Sequence, residues 1–225
     1  MSDISKAIDE YKRAIDGRAS LIAVSKTFPA SDIQEAYASG QRDFGENKVQ
    51  ELSEKYEQLP KDIRWHMIGH LQTNKIKYIA PYVYLIHAVD SLHLLAAIDK
   101  EARKVGRVID VLLQVHIAQE ETKFGFTPDE LMQFLSDGQW RNLPNVRICG
   151  LMAVGSFTDD TSLTQREFST VKSLLDECKR TYFADQDCFC QLSLGMTHDF
   201  LLALQHGSTL VRIGNGIFGK RYYQQ

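Results

Sequence analysis

Two cationic side chains lie at or near the ends of short apolar runs in the sequence. Lys26 directly follows the apolar run 21–25, and an amine in such a position can form an imine with an aldehyde when burial or a neighbouring cation lowers its pKa. Arg212 lies inside the apolar run 209–213, where a charge needs a partner or an opening. That partner is either a structural carboxylate or a ligand, and the sequence leaves both alternatives open.

Two glycine-containing segments have the composition of a phosphate-binding cradle. Residues 193–197 read Ser-Leu-Gly-Met-Thr, and residues 214–216 read Gly-Asn-Gly. Glycine lets backbone N–H groups approach an anion closely, and hydroxyl groups add further donors. Tight turns explain the glycines of either segment alone. Both segments together with Lys26 favour pyridoxal 5′-phosphate (PLP), which carries an aldehyde and a phosphate.

The histidines and cysteines do not have the spacing of a metal or disulfide centre. His66 and His70 are four residues apart, but Gly69 separates them and no third ligand of the usual kind is near. Cys188 and Cys190 alternate along an apolar run, which predicts two residues on one face of a strand. We therefore predict no metal site and no disulfide framework.

Eight short apolar runs alternate with longer segments of helical spacing. The candidate strands are residues 21–25, 42–44, 65–68, 83–89, 109–117, 146–154, 189–194 and 209–213. Such alternation is typical of parallel strands joined by crossover helices. We predict a single α/β domain over residues 1–225, a (β/α)8 TIM barrel, although a doubly wound open sheet fits the pattern nearly as well. In a barrel, functional groups gather at the carboxyl ends of the strands, and phosphate commonly binds in the last two loops.

Capping residues mark the helices between these strands. Ser91 can cap a helix that Gly106 ends in a left-handed conformation. Residues 127–130, Thr-Pro-Asp-Glu, combine a capping threonine, a proline at the first helical position and a glutamate at the third. Residues 162–180 repeat the helical period with apolar residues on one face. These signals predict helices in three of the intervals between strands.

The composition argues against two broad classes of partner. The chain has 225 residues, of which 44% are hydrophobic, and a formal net charge of -3. Without a basic run it offers no surface for nucleic acid, and we expect none as a partner. Residues 1–18 carry charges throughout, and no run approaches the ~18 apolar residues that a membrane helix needs. We expect a cytoplasmic protein with no membrane partner.

Six segments spread over almost the whole chain form a distinctive set. They are 21–27 (LIAVSKT), 44–47 (FGEN), 65–75 (WHMIGHLQTNK), 192–197 (LSLGMT), 207–214 (GSTLVRIG) and 217–219 (IFG). In sequence and in order they resemble the pyridoxal phosphate homeostasis proteins, a family related to the N-terminal domain of alanine racemase. Thr197 replaces the family's more usual serine and keeps the hydroxyl group.

The resemblance implies a PLP-binding barrel of fold type III in which six residues hold the cofactor. These residues are Lys26, Asn47, Ser193, Thr197, Arg212 and Gly214. By this resemblance Lys26 carries PLP as a Schiff base, and Arg212 meets the pyridine nitrogen. Ser193, Thr197 and Gly214 hold the phosphate, and Asn47 lies beside the cofactor.

The resemblance also implies a protein that carries or buffers PLP in intracellular PLP homeostasis and has no catalysis of its own. The chemistry of the arginine agrees with this expectation. An arginine does not deliver a proton to the pyridine nitrogen as a carboxylic acid can, so the ring is a weaker electron sink. We expect a monomer, with PLP as its ligand and PLP-dependent apoenzymes as candidate partners.

Two other functions remain open. An amino-acid racemase shares this barrel and an arginine partner, but it needs acid–base groups on both faces of the substrate carbon. Lys26 could serve one face, whereas Tyr222 and Tyr223 lie in a short tail and are better explained as surface residues. The third reading is a barrel that binds another phosphorylated metabolite without an imine. A role for Lys123 in holding PLP has no strong support in the sequence.

Overall fold

The computed structural model describes residues 2–117 and 124–219. Here eight parallel strands close into a barrel in chain order, with β8 pairing with β1. The strands are β1 Ser20–Val24, β2 Asp43–Glu46, β3 Arg64–Met67, β4 Leu85–Val89, β5 Ile109–Val115, β6 Val146–Ala153, β7 Gln191–Ser193 and β8 Leu210–Ile213. The closed barrel confirms the predicted fold over the open sheet. The single domain over residues 1–225 stays a prediction, and Lys123, Tyr222 and Tyr223 lie outside the described residues.

Helices in the described ranges surround the barrel. They are α1 Asp3–Ile15, α2 Ala30–Ala38, α3 Val49–Gln58, α4 Ile76–Ile79, α5 Leu92–Lys104, α6 Pro128–Asp137, α7 Thr161–Tyr182, α8 Phe200–Gln205 and α9 Asn215–Phe218. The larger part of the apolar core includes Phe44, Trp65 and Phe168, all completely buried. None of these helices is both long and apolar enough to cross a membrane.

The predicted helix ends are confirmed in the structure. The Ser91 hydroxyl accepts a hydrogen bond from the Leu94 N–H at 3.2 Å, and α5 is followed by Gly106 at a φ of +65°. At the start of α6, Thr127 Oγ1 accepts from the Glu130 N–H, and Glu130 Oε2 accepts from the Thr127 N–H at 2.8 Å. This reciprocal pair is the capping box that the sequence predicts.

The seventh strand is shorter than predicted, and this corrects the interpretation of the cysteines. Cys188 and Cys190 lie in the turn before β7 instead of on one face of a strand. In this turn the ring of Phe189 stacks on the ring of Phe183, with centroids 4.0 Å apart. The backbone N–H of Phe189 donates to the carbonyl of Gln186, which closes the turn. The cysteines of the chain are free thiols.

A small second cluster of apolar side chains lies apart from the main core. Its fully buried members are Ile22, Leu85, Ala88, Leu112, Cys149, Met152 and Leu210. They come from β1, β4, β5, β6 and β8, as side chains that share the inside of a closed barrel do. Polar side chains inside the barrel must therefore find hydrogen-bond partners in one another or in the backbone, because apolar side chains offer none.

Candidate functional site

The two cations singled out in the sequence come from adjacent strands. Ile22 on β1 lies opposite Arg212 on β8, and Ala23 lies opposite Ile213. Lys26 follows β1 in a turn at its carboxyl end and is half-buried, whereas Arg212 is only 5% exposed. The barrel register thus brings both cations to the same sector of the barrel.

A buried ionic cluster lies directly behind the turn that carries Lys26. Lys55 Nζ on α3 donates at 2.7 Å to the backbone carbonyl of Ser25, to Glu46 Oε1 and to Glu51 Oε1. The Ser25 hydroxyl also donates to Glu46 Oε1, at 2.7 Å. The residue before Lys26 is therefore anchored through both its backbone and its side chain.

Thr27, the residue after Lys26, is anchored from the same cluster. Its N–H donates to Glu51 Oε1 at 2.6 Å, and its φ of +70° is unusual for a β-branched residue. Burial raises the pKa of Glu46 to about 7, although Lys55 and Ser25 hydrogen bond to its carboxylate. The other oxygen, Glu46 Oε2, is buried without a hydrogen-bond partner within the described ranges. The position of Lys26 is set by this cluster on both sides.

Arg212 is held by hydrogen bonds from its two terminal nitrogens. Nη1 donates to the carbonyl of Ser193 at 2.8 Å and to the Ser193 hydroxyl, and Nη2 donates to the carbonyl of Ala153 at 2.9 Å. Burial lowers its pKa to about 10, with Asp199 acting in the opposite sense, so the group stays protonated at neutral pH. Among residues 2–117 and 124–219, Arg212 forms no ion pair and its Nε–H has no acceptor. Of the two partners that the sequence left open, a structural carboxylate or a ligand, the Nε–H is therefore available to a ligand.

Ser193, which the resemblance assigns to the phosphate, is the last residue of β7. It is completely buried, and its hydroxyl contacts Arg212 Nη1 and, at 2.9 Å, the Nδ1 of His87. The predicted contact between Ser193 and a phosphate stays a prediction. In the structure this hydroxyl already has two protein partners.

Neighbouring side chains lie close to two of the glycines in the segments 193–197 and 214–216. A Cβ on Gly195, which has a φ of +88°, would lie 2.6 Å from the side chain of Ala203. A Cβ on Gly216 would lie 2.0 Å from the hydroxyl of Tyr11. Glycine is therefore required at position 195 whether or not a ligand binds, whereas a side chain at position 216 would require the Tyr11 hydroxyl to move.

Gly214 differs from these two glycines. A Cβ there would meet Val24 at 3.4 Å, an ordinary contact. Packing therefore does not explain a glycine at this position. Since Gly214 follows β8 directly, next to Val24 of β1, its bare backbone leaves room for a ligand between the ends of these strands.

Asn47 and Thr197 occupy the loops after β2 and β7. Both are half-buried, and neither side chain hydrogen bonds to another residue in the part of the chain that the structure describes. A Cβ on Gly69 would lie 2.5 Å from the Asn47 carbonyl oxygen, so Gly69 lets the loop after β3 pass close to the Asn47 backbone. Both polar side chains can therefore bind a ligand without breaking a protein contact.

The sequence analysis missed a second group of polar residues inside the barrel. His66 Nδ1 lies 3.0 Å from His87 Nε2, and His66 Nε2 lies 3.0 Å from Asp43 Oδ1. His66 is buried, and no group of three metal-binding side chains occurs among the described residues. The available signal was a histidine inside each of two otherwise apolar runs, 65–68 and 83–89.

Comparisons with known proteins give one consistent result. The family model for the N-terminal domain of alanine racemase matches residues 1–222. A pyridoxal phosphate homeostasis protein of Aquifex aeolicus is 39% identical, over 98% of this chain and 97% of the relative. The protein of the same name from Homo sapiens is also 39% identical, over 91% of this chain and 78% of the relative.

A solved structure is similar over nearly the same extent. PipY of Synechococcus elongatus, determined with PLP bound, superimposes with a TM-score of 0.88 at 35% identity. The alignment covers 96% of this chain and 100% of PipY.

Proposed function

This chain belongs to the family of pyridoxal phosphate homeostasis proteins, and we propose that it binds PLP in its barrel and carries or buffers it in the cell. The observation that carries the proposal is the pairing of Ile22 with Arg212. It brings the Lys26 turn and a buried cation with a free Nε–H to one sector of the barrel, beside the bare backbone of Gly214. An aldehyde, a ring nitrogen and a phosphate on one small molecule match these three features.

Each chemical group of PLP has a complementary partner in this arrangement. Lys26 would supply the amine that holds the aldehyde of PLP as a Schiff base, with water as the leaving group. Arg212 would donate its Nε–H to the pyridine nitrogen. Thr197 and the backbone at Gly214 would receive the phosphate, with Asn47 beside the ring. The residues present thus fit the cofactor.

We propose that the chain has no catalysis of its own. A protonated arginine donates a hydrogen bond without transferring a proton, which leaves the pyridine ring a weaker electron sink than a carboxylic acid partner would. The names of the relatives describe homeostasis and not a reaction. Transfer of PLP to apoenzymes, a monomeric state and a cytoplasmic location stay predictions.

Absorption spectroscopy of the purified protein tests the proposal. After unbound PLP has been removed by gel filtration, we expect a visible Schiff-base band in the wild type and in Lys100→Ala, an exposed control on α5, but not in Lys26→Ala. Borohydride reduction followed by peptide mapping should place the modification on Lys26. A wild type that stays colourless with added PLP would contradict PLP binding through Lys26, and conversion of L- to D-amino acids by the loaded protein would contradict the lack of catalysis.

A further inference from the structure

A chain of hydrogen bonds crosses the inside of the barrel and ends on Arg212. It begins at Asp43, the first residue of β2, and passes through His66 on β3 and His87 on β4. Ser193 on β7 completes the chain, since its hydroxyl lies 2.9 Å from His87 Nδ1 and contacts Arg212 Nη1. Four consecutive contacts thus connect the carboxylate of Asp43 on β2 with the guanidinium of Arg212 on β8.

With a carboxylate at its end and neutral imidazoles at His66 and His87, the donors and acceptors of this chain can be ordered in only one direction. Asp43 as a carboxylate accepts, so His66 must donate from Nε2 and accept at Nδ1. His87 then donates from Nε2 to His66 and accepts at its own Nδ1. The acceptor at Nδ1 receives the single hydroxyl proton of Ser193, whose oxygen in turn accepts from Arg212. Every contact from Arg212 to Asp43 is therefore donated in the same sense.

The protonation states agree with this order. Burial lowers the pKa of His66, although Asp43 opposes the effect, and it lowers that of His87 well below the ordinary value, assisted by His66 and Arg212. Burial alone would raise the pKa of Asp43, but hydrogen bonds from His66 and Arg64 outweigh it and leave the pKa lowered. At neutral pH the chain has a carboxylate, two neutral imidazoles and a guanidinium.

We propose that His66, His87 and Ser193 are positioning residues that fix the orientation of the Arg212 guanidinium toward the cofactor. The inference rests on the proposed function, because Arg212 acts on PLP only if PLP binds. The contacts with Ser193 and Ala153 use three of the five guanidinium N–H groups and leave the Nε–H and the second Nη2–H as donors for the pyridine nitrogen. The chain also assigns Ser193 away from the phosphate, since its only proton is donated to His87.

Replacement of His87 distinguishes positioning from simple packing. His87→Gln retains one acceptor and one donor at its end, whereas His87→Leu has neither. We expect His87→Leu to bind PLP about tenfold more weakly than the wild type, the size expected for the loss of a hydrogen bond to a charged group, and His87→Gln to recover most of the affinity. Attachment to Lys26 should persist in both variants. Ser193→Ala interrupts the chain with a minimal change of volume and should weaken PLP to the same extent if His87→Leu does not fold.

Nuclear magnetic resonance of the protein without PLP supplies a readout that packing alone would not move. Long-range ¹⁵N–¹H spectra at pH 7.5 should show both His66 and His87 as neutral Nε2–H tautomers. An Nδ1–H tautomer at either residue would overturn the order of the chain. If the wild type binds PLP and both His87→Leu and Ser193→Ala bind it equally tightly, the positioning role alone is overturned. No binding by the wild type would overturn the proposed function and this role together.

Discussion

Lys55 and Glu46 form an ion pair behind the turn of Lys26, with Nζ 2.7 Å from Oε1 and their side chains 7% and 0% exposed. Removal of two charges from water is costly, and the loss of either partner would leave the other charge buried without compensation, which destabilises the fold. Because the same ammonium group also holds the carbonyl of Ser25, the stability of the fold and the position of Lys26 depend on one side chain. This coupling leads to the first prediction.

Lys55→Met should destabilise the protein strongly. The substitution leaves the buried Glu46 carboxylate without its counter-ion, a change that typically costs about 3–5 kcal/mol. We expect the free energy of unfolding in urea to fall by about 3 kcal/mol, while Lys100→Met on the exposed face of α5 should change it by less than about 0.5 kcal/mol. The double variant Lys55→Met/Glu46→Gln should recover part of the loss, because the buried charge is gone. Equal stability of Lys55→Met and the wild type would contradict this account.

Glu46 should make stability depend on pH in a direction opposite to that of most carboxylates. Its pKa in the folded state is raised to about 7, above the value of about 4.3 for a free glutamate. Between these values the folded protein binds more protons than the unfolded chain, so stability falls as pH rises through this window. Glu46→Gln removes the titration. The difference in unfolding free energy between wild type and Glu46→Gln should therefore shift against the wild type from pH 4.5 to pH 7.5, and a constant difference would contradict the raised pKa.

Local patterns in the sequence were sufficient to predict eight strands alternating with helices, while the choice of a barrel over an open sheet and the ends of β7 needed the structure. The alternation of short apolar runs and capped helices predicts the element order, and a barrel then places the residues after β1 and β8, Lys26 and Gly214, at one end. The strand register adds the position of Arg212 beside this end of β1, because Ile22 pairs with Arg212. Lys26 and Arg212 can thus be chosen as candidates from the sequence, because each is a cation within or directly after an apolar run.

Contacts between distant strands could not be predicted in this way. His87 contacts His66 21 residues before it and Ser193 106 residues after it. No local period encodes either contact, so a buried histidine is recognised as a partner of Arg212 only when the barrel is closed. The failure at Cys188 and Cys190 has a similar cause, since the stacking of Phe189 on Phe183 overrides the alternating pattern of the run.

Alanine at position 214 should separate ligand binding from folding. Gly214→Ala places a Cβ at an ordinary contact distance from Val24, so we expect a change in unfolding free energy below about 1 kcal/mol. The same methyl group would occupy the space beside the end of β1, and PLP affinity should fall by at least about tenfold if the phosphate approaches the backbone there. Titration of PLP by visible absorbance, with urea unfolding of the protein without ligand, measures both effects.

Gly195→Ala is the matched comparison. With a φ of +88° and a Cβ 2.6 Å from the side chain of Ala203, it should lower the free energy of unfolding by more than about 1 kcal/mol. A loss of stability in Gly214→Ala as large as that in Gly195→Ala, or full PLP affinity in Gly214→Ala, would remove Gly214 from the proposed site.

Thr197 can be tested by comparing PLP with pyridoxal, which has the same aldehyde and ring but no phosphate. Its hydroxyl has no hydrogen-bond partner among the residues described, so Thr197→Val removes a donor at nearly constant volume. We expect Thr197→Val to weaken PLP binding by about tenfold, because the phosphate loses one hydrogen bond from a hydroxyl to a charged group, while pyridoxal binds as it does to the wild type. Thr197→Ser keeps the hydroxyl and should bind both ligands within about twofold of the wild type. An equal loss for the two ligands in Thr197→Val would place this side chain at the ring and not at the phosphate.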